Sequence, residues 1–352
     1  MNDISSQLQE QLKHAIDTQQ SLVIQGTNSK AFYGNPVQGS SISLANHSGI
    51  VSYEPTELVI TALAGTPIHE IEAALHDNNQ ILPFEPPRFA TGGTIGGAIA
   101  TGLAGPSRPW GGAPRDLLLG CKILDGKSQI LNFGGAVMKN VAGYDISRLM
   151  AGALGSLGIL LEVSLKVLPK PQVEEYITLD IDSSGSIPLL RQLTAASVPV
   201  TGACHLGDKT HIRLSGNSAS VKAWARKLGG QIDNHGKEFW RKLRDHQLDY
   251  FSSDQALWRL SLPPATSQLD CEDHSLIDWA GAQRWVYSKS DASDIREQVS
   301  KAGGHATLFR GTDLSISMFH ELDSVQQEFH KGLKQRFDPF NILNPGRMYS
   351  WL

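Results

Sequence analysis

The sequence predicts an α+β protein of two domains, and three observations support this. The chain has 352 residues, more than the commonest single domain contains. Strand-like and helix-like segments follow one another without the regular alternation of a doubly wound sheet. Residues 84–105, FEPPRFATGGTIGGAIATGLAG, hold glycines among small and β-branched residues, which predicts a backbone cradle for an anion such as a diphosphate. Close packing of two elements is the alternative explanation for this stretch.

The composition excludes several classes of protein. With 35 acidic and 31 basic residues the net charge is -4, and no long block of Lys or Arg indicates a nucleic-acid surface. The three cysteines show no CxxC spacing, so we expect neither a disulfide framework nor a bound metal. The amino terminus lacks the pattern of a signal peptide, and no run of 18 apolar residues occurs. We therefore expect a cytoplasmic protein that does not span a membrane.

The first elements of the chain are an amphipathic helix and a strand that leads into a polar loop. Apolar residues recur every four positions in residues 4–19, which predicts the helix. The strand SLVIQ at 21–25 then runs into the loop GTNSK at 26–30. We interpret this loop as a second anion-binding segment, and an ordinary turn is the alternative. The pattern Gly-x-x-x-x-Gly-Lys-Ser/Thr is absent, which disfavours a nucleoside triphosphatase.

Further elements follow before and after the glycine stretch. Residues 49–65 predict two strands, and Thr66 followed by proline predicts the N-cap of a helix that ends near residue 78. The strands LLLGCKILD and QILNFGG predict a hairpin around Asp125-Gly126. Residues 138–169 contain a short helix, glycines at every third position and another strand. Neither glycine group has the Gly-x-Gly-x-x-Gly spacing after a strand, which disfavours a Rossmann domain for a nicotinamide cofactor.

The second half of the chain predicts a smaller sheet domain. Its segments are, in order, THIRLSG, SVKAWARKLGG, LWRLSLP, QRWVYSK, DASDIREQVSKAG and HATLFR. Their strand-like and helix-like patterns follow the order β-α-β-β-α-β. That order is the split βαβ pattern of a ferredoxin-like sheet.

Seven of these segments occur in the order found in flavin-binding domains of the p-cresol methylhydroxylase (PCMH) type, also called the vanillyl-alcohol oxidase type. They are VIQGTNSK (23–30), YEPTELVITALAGTP (53–67), GGTIGGAIATGLAGP (92–106), RDLLLG (115–120), KNVAGYDISRLM (139–150), GSLGILLEVSLKVLPKP (155–171) and the closing DPFNILNPGRM (338–348). The resemblance covers nearly all of residues 20–171 and the tail. By it the chain is identified as a member of this flavin-binding family.

The resemblance implies a fold and a cofactor. It implies a two-subdomain FAD-binding PCMH-type domain at 1–171, a small ferredoxin-like α+β cap at 172–330, and a C-terminal segment at 331–352 that returns to the FAD domain. The FAD would be bound without a covalent link, because the first loop contains no His or Cys. Ile159 lies where the family holds the adenine through backbone. The residues placed at the diphosphate are Gly26, Thr27, Asn28, Ser29, Gly92, Gly93, Thr94, Gly96 and Gly97.

The second half also resembles the flavin-binding subunits of bacterial glycolate oxidase, in RPWGGAPRD, LWRLSLP, LIDWAGAQRW and AGGHATLF. This resemblance implies oxidation of glycolate, a 2-hydroxy acid, to glyoxylate in a complex with a larger flavin subunit and an iron-sulfur subunit. Electrons would pass through the flavin to the iron-sulfur subunit, and the chain would reach the inner face of the membrane only through its partners. Arg259 or Arg284 would hold the substrate carboxylate, and His305 would act as the base.

Two alternatives remain beside this interpretation. Catalytic 2-hydroxy acid dehydrogenases of the superfamily carry paired histidines that hold a divalent metal, and this chain has no such pair. It would then be a flavin-holding assembly subunit whose catalytic partner lies elsewhere in the complex. A flavin-dependent oxidoreductase that acts independently on another substrate is also compatible with the fold.

Overall fold

A computed structural model describes residues 1–89, 92–135, 146–311, 313 and 316–352. The chain divides into two compact units, of which unit 1 comprises Met1–Ala104, Ala113–Pro169 and Glu321–Leu352. Unit 2 comprises Gly105–Gly112 and Lys170–His320. The segment KNVAGYDISRLM at 139–150, which carries part of the family resemblance, lies partly outside the described residues.

Both units combine helices and strands. In chain order the helices are α1 Ser5–Asp17, α2 Ile68–Asp77, α3 Ile95–Thr101, α4 Arg108–Gly111, α5 Pro114–Leu117, α6 Ser147–Met150, α7 Ser183–Ala195, α8 Ser218–Leu228, α9 Gly236–Arg244, α10 Ala292–Lys301 and α11 Ser324–Phe337. The strands are β1 Leu22–Gln25, β2 Ser40–Ser43, β3 Ile50–Glu54, β4 Val59–Leu63, β5 Gln80–Ile81, β6 Leu118–Leu124, β7 Ile130–Gly134, β8 Ile159–Lys166, β9 Leu168–Pro169, β10 Val173–Asp180, β11 Val200–Leu206, β12 Lys209–Gly216, β13 Gln231–Ile232, β14 Leu257–Ser261, β15 His274–Asp278, β16 Gln283–Tyr287 and β17 His305–Arg310. The predicted α+β fold class is confirmed.

The largest sheet of unit 1 has the strand order β3-β4-β8-β6-β7 and is antiparallel throughout its described strands. Its central strand β8 is buried along almost its whole length, because apolar elements cover it on both sides. The helices α1, α2 and α3 contribute Leu8, Ile71 and Ile99 to the same core. Strands β1 and β2 form a separate parallel pair. The GTNSK loop, one of the two predicted anion-binding segments, begins at the end of β1.

The helix α2 starts differently from the prediction. Its N-cap is Pro67, and Thr66 is not the capping residue. The hydroxyl of Thr66 is instead buried and donates a hydrogen bond to the carbonyl oxygen of Leu63 at 2.6 Å. It also accepts a hydrogen bond from the backbone N–H of Gly49 at 2.9 Å. The Thr66 hydroxyl therefore links the backbone at Gly49 to the backbone at Leu63. Short-range sequence patterns do not reveal this contact.

The hairpin of β6 and β7 is confirmed, although its connection is longer than a two-residue turn. The strands pair antiparallel from Gly120 opposite Gly134 to Leu124 opposite Ile130. The carboxylate of Asp125 accepts hydrogen bonds from the backbone N–H groups of Lys127 and Gln129. Asp125 thus holds a five-residue connection together through its side chain, as Asx residues commonly do.

Unit 2 contains two ferredoxin-like halves instead of the predicted single one. Its eight described strands have the order β13-β10-β12-β11-β15-β16-β14-β17. In the first half, β10-α7-β11-β12-α8-β13 has the complete split βαβ pattern. In the second half, β14, β15, β16, α10 and β17 repeat the same spatial order without the first helix. The six elements predicted from the sequence all exist, but two belong to the first half and four to the second.

The short segment Gly105–Gly112 belongs to unit 2, although its neighbours in sequence belong to unit 1. The indole N–H of Trp279 donates to the carbonyl oxygen of Gly105 at 2.9 Å, and the guanidinium of Arg108 lies 4.5 Å from the centre of a Trp279 ring. Trp110 packs against the apolar core of the first ferredoxin-like half. The domain limits at residues 171 and 330 stay predictions.

The C-terminal segment is part of unit 1 and is tied to it by a buried lysine. The ammonium group of Lys334 donates to the carboxylate of Asp338 and to the carbonyl oxygens of Ser156 and Leu343 at 2.8–3.0 Å. Burial lowers the pKa of Lys334, while the carboxylate of Asp338 opposes that shift. The carboxylate in turn accepts the backbone N–H groups of Ile342 and Leu343. This network orders the residues that lead into the tail.

Candidate functional site

The GTNSK loop lies directly against the glycine cradle in unit 1. Gly26 follows β1, and a Cβ atom added to it would lie 2.7 Å from the hydroxyl oxygen of Thr94. Thr94 is the N-cap of α3 and accepts the backbone N–H of Gly97 at 3.1 Å. A side chain at position 26 would collide with this cap. The structure therefore brings the GTNSK loop and the glycine cradle together, and their binding of a diphosphate stays a prediction.

The glycines of the cradle differ in what a side chain at each position would meet. A Cβ atom on Gly96 would lie 2.6 Å from the Cβ atom of Ala64, so this glycine permits close packing of α3 on the strand end. Gly97 has only the Thr94 hydroxyl near its missing Cβ, at 3.2 Å. Gly92 has a φ of +74° and no atom near that position, whereas Gly93 lies close to the ammonium of Lys30 and the hydroxyl of Ser29. The packing explanation thus applies to Gly96, and Gly97 faces open space.

Two adjoining cavities of about 80 and 100 Å³ lie between these loops. They share the lining residues Ile24, Gln25, Gly26, Thr94, Gly97, Ala100, Leu154 and Asn344. The first cavity is mostly apolar and is completed by Leu44, Ala64, Gly96, Met150, Ala153, Gly155, Gly158 and Leu160. The second is polar and is completed by Thr27, Asn28, Ser29, Lys30, Ala31, Tyr33, Thr101 and Arg347. An elongated ligand with an apolar ring at one end and a charged group next to it matches this division.

Ile159 is fully buried at the start of β8, and its side chain belongs to the core of unit 1. Its neighbours Gly158 and Leu160 line the apolar cavity. The backbone on either side of Ile159 therefore borders that cavity, whereas its side chain does not. The predicted adenine contact through the backbone at this position stays a prediction.

Three residues of the site were missed as ligand contacts by the sequence analysis. Lys30, the last residue of the GTNSK loop, is 8% exposed and lines the polar cavity. Asn344 lines both cavities, accepts the backbone N–H of Ile24 at 2.9 Å and donates to the carbonyl oxygen of Leu154 at 2.6 Å. Asn344 and Arg347 belong to the NPGR sequence of the tail, which gave the only signal for them.

Arg347 contributes positive charge to the polar cavity. Its guanidinium donates to the backbone carbonyl oxygens of Ala31, Tyr33 and Asn35 at 2.7–3.0 Å. These carbonyl groups carry no net charge, and desolvation lowers the pKa of Arg347. No carboxylate of the described residues forms an ion pair with it. An anion in the cavity would therefore meet a cation whose charge is not already neutralised by an acid.

The predicted catalytic residues lie on strands of the second ferredoxin-like half, but on two different faces. Arg259 on β14 pairs with Thr307 on β17, and Ser261 pairs with His305 two positions further along the two strands. Side chains two positions apart share a face of a sheet, so Arg259 and His305 are on the same face. Arg284 on β16 pairs with Leu260 and therefore belongs to the opposite face.

The prediction that Arg284 clamps a substrate carboxylate is wrong for this fold. Its side chain is completely buried and its guanidinium contacts the carboxylate of Glu272 at 2.6 Å, where Glu272 is also buried. It donates further hydrogen bonds to the backbone carbonyl oxygens of Ser267 and Thr266. The charge of Arg284 is thus already paired and inaccessible to a substrate from solvent.

His305 lies at the exposed start of β17, near His320. Partial removal of the ring from water, with the positive charges of Arg259 and His320, lowers the pKa of His305 below the usual value for histidine. The imidazole is therefore neutral at pH 7 and able to accept a proton. Arg259 is half-buried on the same face. These two residues together could bind a carboxylate and take up a proton.

The residues that line the two cavities of unit 1 fit the diphosphate of FAD and an adjoining ring of the cofactor. No acidic side chain is among their described lining residues, while Lys30 and Arg347 provide positive charge. Thr27, Asn28 and Ser29 supply backbone N–H groups and polar side chains beside the polar cavity, and Gly97 lets a ligand approach α3 closely. Among the described residues, no group of His, Cys, Asp and Glu side chains could hold a metal ion. The described helices include none with the length and apolar character needed to cross a bilayer.

Comparison with known proteins agrees with this fit. The family described as FAD binding domain matches residues 5–145. The chain therefore belongs to a class of FAD-dependent oxidoreductases, and FAD is its cofactor. More narrowly, it belongs to the family of the glycolate oxidase subunit GlcE of Escherichia coli (strain K12), to which it is 45% identical over 99% of both chains. The predicted family membership is confirmed.

Two other relatives show where this similarity extends. The glycolate oxidase subunit GlcD of Bacillus subtilis (strain 168) is 30% identical over 40% of this chain and 30% of its own. A solved structure of alkyldihydroxyacetonephosphate synthase matches 98% of this chain and 75% of its own, with a TM-score of 0.69 and 14% identity. At that identity the match shows the shared fold alone. The sequence similarity to GlcE covers both units.

Proposed function

We propose that this chain is the FAD-binding subunit of a complex that oxidises glycolate to glyoxylate. The observation that carries the proposal is the 45% identity to GlcE along the whole chain, which includes both the cofactor site and unit 2. The partners would be a larger flavin subunit and an iron-sulfur subunit, which receives the electrons. FAD supplies the ability to accept a hydride from C2 of a 2-hydroxy acid. The protein supplies binding, orientation and charge.

The residues of the two loops would hold the diphosphate of FAD. Backbone N–H groups of Gly26, Thr27, Asn28 and Ser29 would donate to it from one side. Gly92, Gly93, Thr94, Gly96 and Gly97 would flank it on the other side, where the N–H groups of Gly92, Gly96 and Gly97 already donate to Phe89, Ala64 and Thr94. Lys30 and Arg347 would balance its negative charge, since both line the polar cavity. The apolar cavity, bordered by the backbone next to Ile159, would receive a ring of the cofactor.

Arg259 and His305 would act on the substrate. The guanidinium of Arg259 would bind the carboxylate of glycolate through charge-assisted hydrogen bonds. The imidazole of His305 would accept the proton of the substrate hydroxyl, because its lowered pKa keeps it neutral near pH 7. Their common sheet face and the electrostatic coupling between them support this assignment. Arg284 has no part in it.

The function is tested by the visible spectrum of the purified chain during anaerobic addition of glycolate. We expect a flavin absorption band that bleaches with glycolate in the complete complex. Bleaching of the chain alone would locate hydride transfer on this subunit. A band that remains oxidised alone and bleaches only with the partners would favour the flavin-holding assembly role. A complete complex that fails to reduce its flavin with glycolate, but responds to another substrate, would overturn the proposal.

Replacing Arg259 by Ala is expected to lower kcat/KM for glycolate about 30-fold to 100-fold in the complex. This is the size expected when a charge-assisted pair with a carboxylate is lost, about 2 to 3 kcal/mol. FAD content should be unchanged, because Arg259 does not line the cofactor cavities. The matched control is Arg241→Ala on α9, a surface arginine of the same unit. An unchanged kcat/KM in the Arg259 variant would remove this residue from catalysis.

A further inference from the structure

A third cavity, of about 250 Å³, lies in unit 1 on the other side of the turn that borders the FAD site. The turn at 151–157 contributes Leu154 to the apolar FAD cavity, Gly152, Ser156 and Leu157 to the third cavity, and Ala153 to both. The helix α11 contributes His330 and Leu333, and the tail contributes Met348 and Leu352. None of the residues placed at the diphosphate lines it. The cavity is therefore a separate feature of the FAD domain.

The lining combines cations with apolar side chains. Arg115 on α5 and Arg148 on α6 contribute two guanidinium groups, and no acidic side chain is among the described lining residues. In the described part of the chain, Arg115 forms an ion pair with its sequence neighbour Asp116 at 3.7 Å, and Asp116 is half exposed. Apart from these cations and His330, the lining is largely aliphatic. Such a surface favours an occupant that carries both a negative charge and apolar groups.

Exposed apolar residues continue this lining onto the surface. Leu149, which lines the cavity, is 41% exposed, and Phe329 and Val325 on α11 are 69% and 62% exposed. Residues four positions apart lie on one side of a helix, so Val325, Phe329 and Leu333 form a stripe that leads into the cavity. Beside them, the rings of Tyr349 and Trp351 stack with centroids 4.9 Å apart. We call Arg115, Arg148, Leu149, Phe329, Met348 and Trp351 the α11 surface.

We propose that the α11 surface binds a partner subunit of the glycolate-oxidising complex, through a segment with an acidic side chain flanked by apolar residues. This inference rests on the function proposed above. The acidic group would pair with Arg115 and Arg148, and the apolar groups would cover Leu149 and Phe329. Arginine, methionine and aromatic residues are enriched in protein interfaces, and all three types occur here.

A small-molecule ligand would account for the cavity but not for the stripe outside it. Val325 and Phe329 are exposed beyond the cavity, and a ligand of cavity size would leave both in water. A protein segment covers the cavity and the stripe together. The exposed apolar area beyond the cavity therefore favours a protein partner over a small-molecule ligand.

The test measures the affinity of the purified partner subunits for this chain, immobilised with FAD bound, at low and high ionic strength. We expect Phe329→Ser and Arg148→Glu each to weaken binding at least tenfold, as interface anchors do. The wild-type affinity should fall more steeply with added salt than that of Arg148→Glu, because the variant has lost part of the charge attraction. FAD content and thermal stability should match the wild type, which excludes a folding defect.

The matched controls lie in unit 2. Ile232→Ser replaces an apolar residue of similar exposure on β13, and Arg241→Glu reverses a surface charge on α9. Both should bind like the wild type. Normal binding of the partner subunits by Phe329→Ser and Arg148→Glu would overturn this inference and leave the proposed function intact. The same conclusion would follow if these variants lost affinity only for anionic lipid vesicles. If the wild-type chain neither binds the partner subunits nor supports glycolate turnover, both this inference and the proposed function are wrong.

Discussion

Replacing Gly97 by Asp is expected to remove FAD from the protein while unit 1 remains folded. Gly97 lines both FAD cavities, and its missing Cβ has only the Thr94 hydroxyl nearby, so the new side chain can enter the cavity. Its carboxylate would occupy the space of the diphosphate and repel it in a partly desolvated site. An aspartate in the first turn of a helix is otherwise favourable. We expect at least a hundredfold loss of FAD affinity.

The measurement is FAD content after purification, followed by titration of the apoprotein with FAD. Gly97→Asn is the matched control, because asparagine has nearly the same shape without the charge. A much smaller loss in the asparagine variant would attribute the effect to charge repulsion. Gly96→Ala provides the contrasting case, since its Cβ would meet Ala64 and destabilise the fold itself. A Gly97→Asp protein that keeps its full yellow colour would contradict the assignment of the cradle.

Replacing Arg284 by Met is expected to destabilise unit 2 by about 3 to 5 kcal/mol, the range measured when one partner of a buried ion pair is removed. The variant would leave the carboxylate of Glu272 buried without its cation. It would also remove the donors to the carbonyl oxygens of Thr266 and Ser267. Denaturant unfolding, followed by tryptophan fluorescence, measures the loss.

The double variant Arg284→Met with Glu272→Leu is the control for this result. It removes both charges and should recover much of the stability, because apolar residues of similar volume often replace a buried ion pair without loss. Arg259→Ala should show the opposite behaviour to Arg284→Met, with reduced turnover and near-normal stability. Unchanged stability together with lost turnover in Arg284→Met would return Arg284 to the catalytic residues.

The local parts of the cofactor site could be predicted from sequence. Gly26 and the cradle lie in short segments whose residue types already restrict the backbone. The sequence could not separate Gly96 from Gly97, because that difference depends on Ala64, which lies on another strand end. It could not show Asn344 in contact with Ile24 before the GTNSK loop, or Arg347 in contact with Ala31 and Asn35 after it, because more than 300 residues separate the partners. Contacts at that distance along the chain leave no local pattern.

Unit 2 illustrates a different limit. The sequence patterns found real strands and helices, yet they combined elements of two ferredoxin-like halves into one. Strand order cannot be obtained from periodicity, since β14 pairs with β16 and β17 while β15 connects the two halves through β11. The mistake about Arg284 has the same origin. Its partner Glu272 precedes it by 12 residues, in the connection between β14 and β15 that buries both charges.

The C-terminal segment determines when the FAD cavities of unit 1 can be completed during synthesis of the chain. Unit 1 begins with the first residue, but the walls of its FAD cavities include Asn344 and Arg347 from the tail, which the Lys334–Asp338 network orders. At 5–20 residues per second, synthesis of the chain takes about 20 to 70 s. All of unit 2 leaves the ribosome before the tail does. We therefore expect FAD to be held tightly only once Asn344 and Arg347 have joined the cavity walls, so a chain truncated before residue 344 should retain less cofactor.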